Sequence, residues 1–250
     1  MANHLYLNYY VDRNSSRRAE LHDCFERNAR NPEFDAVYCL TSDPLPPGLP
    51  AKVNKVAFGG RPTFADVFRA AGEHSGGGDL VVVANTDILF APTAVVRAAR
   101  ALRAGVAYAI TWWETDDRGR QTLYPRGDNQ DVWMFRGPPR AVAADFPLGR
   151  LGCDNRLAWE LKRAGYALRN PARSVRCVHV HRSGVRNYRE HSDPVVPGPY
   201  LAVLPRRLGG FPPAGWLSHT RPISADGVYV PSLRERILMR AIAVRRRFPW

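Results

Sequence analysis

The sequence predicts an α/β domain built on a mostly parallel central sheet flanked by helices, followed by a C-terminal extension. Three observations point there. Short apolar runs alternate with stretches whose apolar residues recur at helical spacing, the strand–helix–strand order of a parallel sheet. The run Asp79–Phe90, with Val81, Val82 and Val83 in succession, is apolar enough for a central strand buried on both faces. Its 250 residues, 45% of them hydrophobic, suffice for one large core.

In order, Leu5–Val11 reads as the first strand. Ser15 and Ser16 can cap a helix running through Arg18, Leu21, Cys24, Phe25 and Ala29. Phe34–Leu40 is a second strand, stopped by the proline-rich stretch 41–50, which can only be loop. Lys52–Phe58 is a short third strand. Thr63 caps a helix through Phe64, Val67, Phe68 and Ala71, closed by Ser75-Gly-Gly-Gly78. The valine-rich strand follows, then a helix after Pro92 to Leu102, then a strand over Ala107–Trp113. The second half is less regular. Asp128–Arg136 is a loop feeding a short strand, and Gly152–Asn155 precedes a helix through Leu157, Trp159, Leu161 and Ala164. Ser174–His181 is the last strand, with His179 and His181 on one face because side chains alternate with period two. The domain is expected to end near residue 192. An extension over 193–250 is rich in Pro and Gly, and its last part, Arg234–Trp250, is a basic amphipathic helix candidate.

The formal net charge is +13, carried almost wholly by arginine, and such a surface favours polyanions: nucleic acid, anionic lipid or phosphate-bearing substrates. Cys24, Cys39, Cys153 and Cys177 are scattered, with no paired spacing for zinc, and are expected to be reduced. No run has the length of a membrane span, and no signal peptide is evident, so the expected location is cytoplasmic.

The chemistry-bearing candidates begin with Asn85-Thr86-Asp87 inside the valine-rich run. A carboxylate at a strand's carboxyl end sits where open α/β sheets bind ligands, although a turn Asp capping the strand has the same sequence. Asp87 with His179 and His181 is a donor set for Mn²⁺ or Mg²⁺, since a cation bound to a diphosphate needs few protein ligands. The other reading is a pair of ordinary strand histidines. Asp154 either caps the helix it begins or acts as a general base, and Asp131 has the same two readings.

Together these segments resemble the nucleotide-sugar glycosyltransferases of GT-A fold, over roughly Leu5–Arg189. Asn85-Thr86-Asp87 resembles a degenerate Asp-x-Asp metal motif. Gly152-Cys153-Asp154-Asn155 and the helix after it resemble the acidic motif where inverting members keep their base. Val178–His181, followed by Ser183 and Arg186-Asn187-Tyr188, resembles the C-terminal histidine segment that can touch metal or diphosphate. The resemblance implies a single Rossmann-type domain that transfers a hexose or deoxyhexose from a UDP- or dTDP-linked donor, with inversion. It implies that Tyr9, Tyr10 and Val11 line the base and ribose pocket and that Arg61 and Asp66 contact the nucleotide. Asn85, Thr86 and Asp87 would serve the diphosphate and metal. Asp131, Trp133 and Asn155 would face the sugar and acceptor, and Asp154 would take the acceptor proton. The departure is Asn85, which stands where the motif has its first carboxylate. It is compatible with a weaker metal site completed by His179 or His181, or with arginines neutralising the diphosphate.

The implied acceptor is a glycan or lipid-linked hydroxyl. The C-terminal helix candidate, with Ile237, Leu238, Ala241, Ile242 and Val244 flanked by arginines, either lies on an anionic membrane or packs on the domain. Against these readings stand a basic nucleic-acid-binding protein, another nucleotide-using transferase and an inactive scaffold. No nucleic-acid-binding module signature appears, so nucleic acid is not the expected partner, and there is no Gly-x-x-x-x-Gly-Lys phosphate loop.

Overall fold

In the computed structural model the described residues are 1–116, 118–124, 126–185, 194–209 and 220–223, with residues 221–223 by backbone course alone. The elements in chain order are β1 (Asn3–Asn8), α1 (Ser15–Arg30), β2 (Ala36–Thr41), β3 (Val53–Ala57), α2 (Phe64–His74), β4 (Leu80–Ala84), β5 (Ile88–Phe90), α3 (Ala94–Ala101), β6 (Val106–Ile110), β7 (Trp113–Thr115), β8 (Gln121–Leu123), β9 (Val132–Arg136), α4 (Cys153–Arg163), β10 (Ala167–Arg169), β11 (Cys177–His179), β12 (Tyr200–Val203) and β13 (Thr220–Ile223).

The central sheet has the order β10-β6-β9-β4-β1-β2-β3. Its pairings are parallel except at β9, which runs antiparallel to both β4 and β6. Alternation along the strands decides the layers. Leu5, Leu7, Val37, Leu80 and Val82 face one core with Phe25 of α1 and Val95 and Ala98 of α3. Tyr6, Val81, Val83, Ala109 and Trp133 face the opposite core with α2 and α4. Each large side chain so withdrawn from water contributes roughly 1.5–3 kcal/mol. The result is the expected mostly parallel, Rossmann-like sheet with helices on both faces. Order reverses between β1 and β4, so the ligand-binding switch point of such a sheet falls at their carboxyl ends.

The valine-rich run is two strands, not one. β4 ends at Ala84, the chain bends at Asn85–Asp87, and β5 joins a second sheet ordered β5-β11-β7-β8. The bend is fastened by Asn85 N–H to the Asp131 carbonyl (3.1 Å), by Ile88 N–H to the Asn85 carbonyl (3.2 Å) and by the Thr86 hydroxyl to the Asn8 carbonyl. The strand expected over Ala107–Trp113 divides in the same way, with β6 in the central sheet and β7 paired to β8 in the second.

The helices bear out their caps in part. Thr63 and Asp66 form a capping box on α2. On α1 the cap is Asn14, and the arginine on its buried stripe is Arg17, four residues before Leu21, where the sequence reading had placed Arg18.

Packing continues past the expected boundary at residue 192. Ala202 and Val203 are fully buried, the buried Asn170 donates to the Val203 carbonyl (2.8 Å), and Val196 N–H donates to the Leu151 carbonyl (2.9 Å). The first part of the extension, 194–208, therefore belongs to the domain. Gly152 shows how tightly it fits: a Cβ there would lie 3.0 Å from the Val196 carbonyl oxygen, and the residue has φ +80°. The helix expected over 234–250 and the Arg186-Asn187-Tyr188 segment lie outside the described residues. Among those described, no helix is long and apolar enough to cross a membrane.

Candidate active site

A cleft of about 850 Å³ opens at the carboxyl ends of β1, β4 and β6, between the central sheet and the second one. Register explains what meets there. His179 of β11 pairs with Ile88 of β5, and Val180 N–H donates to the Asp87 carbonyl (2.8 Å), so the last strand is laid directly against the Asn85–Asp87 bend.

Asp87 is buried, and its Oδ2 receives two partners: the Arg17 guanidinium and His179 Nε2, the latter at 3.2 Å. Burial alone would push the Asp87 carboxyl up. His179 and Arg17 outweigh it and hold the group well below the usual carboxylate range. Reciprocally, burial opposes the charged form of His179, but Asp87 and Asp131 prevail and raise its pKa. His181 stacks on His179 with ring centroids 5.4 Å apart, and its pKa is lowered by burial and by Arg17 and His179. One ligand atom each from Asp87, His179 and His181 lie within 4.8 Å of one another. His181 Nε2 is buried without a hydrogen-bond partner. A carboxylate and two imidazoles, one with an open nitrogen, fit a divalent cation with mixed oxygen and nitrogen preference, such as Mn²⁺.

The same cleft holds a second acidic centre, fastened to the bend. Asp131, just before β9, accepts from Asn85 Nδ2 at 2.9 Å, while Asp154 lies in the first turn of α4. Burial pushes the Asp131 carboxyl up, Asp87 adds to this, and His179 and Asn85 only partly offset it. Burial also drives Asp154 well above the carboxylate range, and the Asp131 charge reinforces it, against a weak bond from the Cys153 thiol (3.5 Å). Asp154 does not cap α4: the N-cap is Gly152, with no side-chain capping bond. The Asn85–Asp131 bond also gives a physical reason for the departure at position 85. An aspartate there would set another carboxylate against Asp131, whereas the amide offers a donor.

The remaining expected site residues divide. Tyr10, Arg61, Asn85, Thr86 and Asn155 line the cleft. Tyr10 and Arg61 also border a smaller recess of about 240 Å³ with Tyr9, Thr41 and Asp43. Tyr9 contributes only an edge to it, since its ring packs in the core 4.8 Å from Phe25. Three expected residues lie apart from both spaces. Val11 is exposed and borders neither space; its backbone N–H donates to Asp43 (2.7 Å). Asp66 is occupied by the α2 capping box and by Arg69. Trp133 is buried in the sheet's interior against Phe64, because it sits two residues into β9 on the face turned toward α2 and α4.

The sequence reading missed two cleft residues, Arg17 and Trp112, and Glu20, which braces Arg17 from behind. Arg17 and Glu20 come from α1, and Glu20 accepts from Arg17 (3.2 Å) and from the backbone and hydroxyl of Ser183. Trp112 lies between Tyr124 and His179, with centroids 4.6 and 5.0 Å away. The available signal for Arg17 was its helical spacing with Leu21, Cys24 and Asn28, which puts a charge on a buried stripe.

No family model matches the chain, and no curated protein matches it. Among solved structures, it is similar to the 2-C-methyl-D-erythritol 4-phosphate cytidylyltransferase of Francisella tularensis, with a TM-score of 0.37 and 12% identity over 54% of this chain and 73% of that one. At that score the likeness carries no function across.

Proposed function

We propose that the protein is a glycosyltransferase that moves a sugar from a nucleoside-diphosphate donor to a hydroxyl of a glycan or lipid-linked acceptor. The observation that carries this reading is the pairing of two unlike centres in one cleft. Arg17, His179 and His181 gather around Asp87, and Asp154, a high-pKa carboxyl bonded only weakly by the Cys153 thiol, lines the same cleft. A cationic centre suits a leaving diphosphate, and a carboxylate of raised basicity suits deprotonation of an attacking hydroxyl.

In this reading the recess by Tyr10 and Arg61 takes the base and ribose, with uracil or thymine expected from the family resemblance. The diphosphate lies toward Arg17 and the two histidines. Asp154 accepts the acceptor's proton as its oxygen bonds to the anomeric carbon. The bond from that carbon to the diphosphate oxygen breaks with inversion. The transition state has oxocarbenium character, as in glycoside hydrolysis. Asp131 and Asn155 orient the sugar and acceptor. Asp87, His179 and His181 would hold Mn²⁺ or Mg²⁺, whose contribution when bound is neutralisation of the diphosphate charge. The basic surface and the arginine-rich C-terminal segment suit a place on the cytoplasmic face of an anionic membrane, where lipid-linked acceptors reside.

The test is a thermal-shift titration with UDP, dTDP, GDP and CDP, with Mn²⁺, Mg²⁺ or chelator, and a DNA duplex for comparison. One nucleoside diphosphate should raise the unfolding midpoint by mass action, and its sugar conjugates should then be screened for release of that diphosphate. Stabilisation by DNA alone, reversed by salt, would replace this reading with nucleic-acid binding.

A further inference from the structure

Arg17 is an unusual residue for its place. It sits in the first turn of α1, at the positive end of the helix dipole, yet is only 5% exposed. A buried cation there is unfavourable unless anions or carbonyls surround it. Its Nη1 donates to Glu20 (3.2 Å) and to the Val180 carbonyl (3.1 Å), and its Nη2 to Asp87 Oδ2. Its Nε is buried with no hydrogen-bond partner among the described residues, although the residue lines the cleft. Asp87 is also the one carboxylate of the Asp87–His179–His181 cluster.

From this geometry we infer that Arg17 and a divalent cation are rival occupants of Asp87, and that a diphosphate resolves the rivalry by drawing Arg17 off the carboxylate. A cation placed on the cluster while Arg17 stays put meets a like charge on its only anionic ligand. A phosphate oxygen offers Arg17 an equivalent charge-assisted bond and gives its idle Nε–H an acceptor. Glu20 and the Val180 carbonyl, both on Nη1, hold the other side of the guanidinium while Nη2 exchanges partners. Metal and diphosphate then bind with positive coupling, each improving the affinity of the other. The competition itself stands on the cluster alone; the coupling rests on the nucleoside-diphosphate reading of the cleft.

The test is Mn²⁺ titration of the full chain, followed by the electron paramagnetic resonance signal of free Mn²⁺, without and with saturating UDP. Without nucleotide, Arg17→Met, which keeps the stem and loses the charge, should bind Mn²⁺ on the order of tenfold more tightly than the wild type. Arg17→Lys, which keeps the charge, should stay near wild type. UDP should tighten Mn²⁺ binding to the wild type and do so far less in Arg17→Met. Thermal melts in chelator establish that each variant is folded. A folded Arg17→Met that binds Mn²⁺ no more tightly than wild type overturns the competition. If that variant does not fold, the wild type decides: equal Mn²⁺ affinity with and without bound UDP overturns the inference. Failure of UDP to bind at all, with the expected gain in Arg17→Met, removes the nucleotide reading and leaves the competition standing.

Discussion

The two acidic centres share one cleft and are displaced in opposite directions. Asp87 is the more buried by exposed surface, yet its carboxyl is held low, because a guanidinium and an imidazole share one of its oxygens. Asp131 and Asp154 keep more contact with solvent, yet both are pushed up, because burial raises them, a neighbouring carboxylate adds to it, and among the described residues no cation is bonded to either. Burial is common to all three, so partners rather than depth set the direction. Such a divergence separates a group fit to stay ionised and hold cations from a group fit to take a proton.

The largest expected effect breaks the proton-accepting side. Asp154→Asn should lower sugar transfer about 10²–10⁴-fold, the usual contribution of a general base, while UDP affinity changes little. Normal turnover in that variant would remove Asp154 from the mechanism. Breaking the cationic side instead should appear in stability. Asp87→Ala leaves Arg17 buried without its carboxylate and should cost about 3–5 kcal/mol, read as a lower urea midpoint at neutral pH. The sign follows from the depressed pKa. The Asp87 contribution is present above the ordinary carboxylate range and is lost as pH falls, so the wild-type advantage should shrink in acid.

A subtler change sharpens the comparison by relaxing one centre. Asp131→Asn removes the charge that raises Asp154. In the proposed reaction Asp154 acts in its ionised form, so the acid limb of the rate profile should move to lower pH in this variant; a limb that stays in place would show the two carboxyls to be uncoupled. The same substitution has a stability consequence of opposite sign to that of Asp87. A carboxyl raised in the folded state favours folding below the ordinary carboxylate range of about 3.9 and loses that contribution as pH rises through its raised value. Asp131→Asn should therefore be more stable than wild type at neutral pH, by about 1–2 kcal/mol, with the gap closing in acid. The smallest effect is the control. Asp66→Ala removes the α2 capping box and should cost about 1 kcal/mol with transfer unchanged; a loss of UDP binding would return Asp66 to the site.

Much of this was legible in the chain. The alternation of strands and helices, the central position of Val81–Val83 and the Thr63 cap all follow from local pattern, and the structure has them. The candidate carboxylates were legible because Asp87, Asp131 and Asp154 stand at the edges of apolar segments. What local pattern could not show is where a strand changes sheets. The run over 79–90 has no Gly or Pro to mark the bend at Asn85–Asp87, because hydrogen bonds from Asn85 and Thr86 to the Asp131 and Asn8 carbonyls fasten that bend. Trp133 lies apart from the cleft for a related reason. A residue next to a site in sequence turns away from it when strand alternation aims it at the opposite core.

By itself the sequence determined the layers, since apolar periodicity fixes which faces must be buried, and it determined which residue types were available for chemistry. Tertiary structure decided their company. Arg17 and Asp87 are seventy positions apart, and His179 lies ninety-two from Asp87. Only the pairing of β5 with β11 and the packing of α1 bring these charges onto one oxygen. Electrostatic energy depends on separation in space and on the water excluded between the charges, and neither quantity is written in the order of residues along the chain.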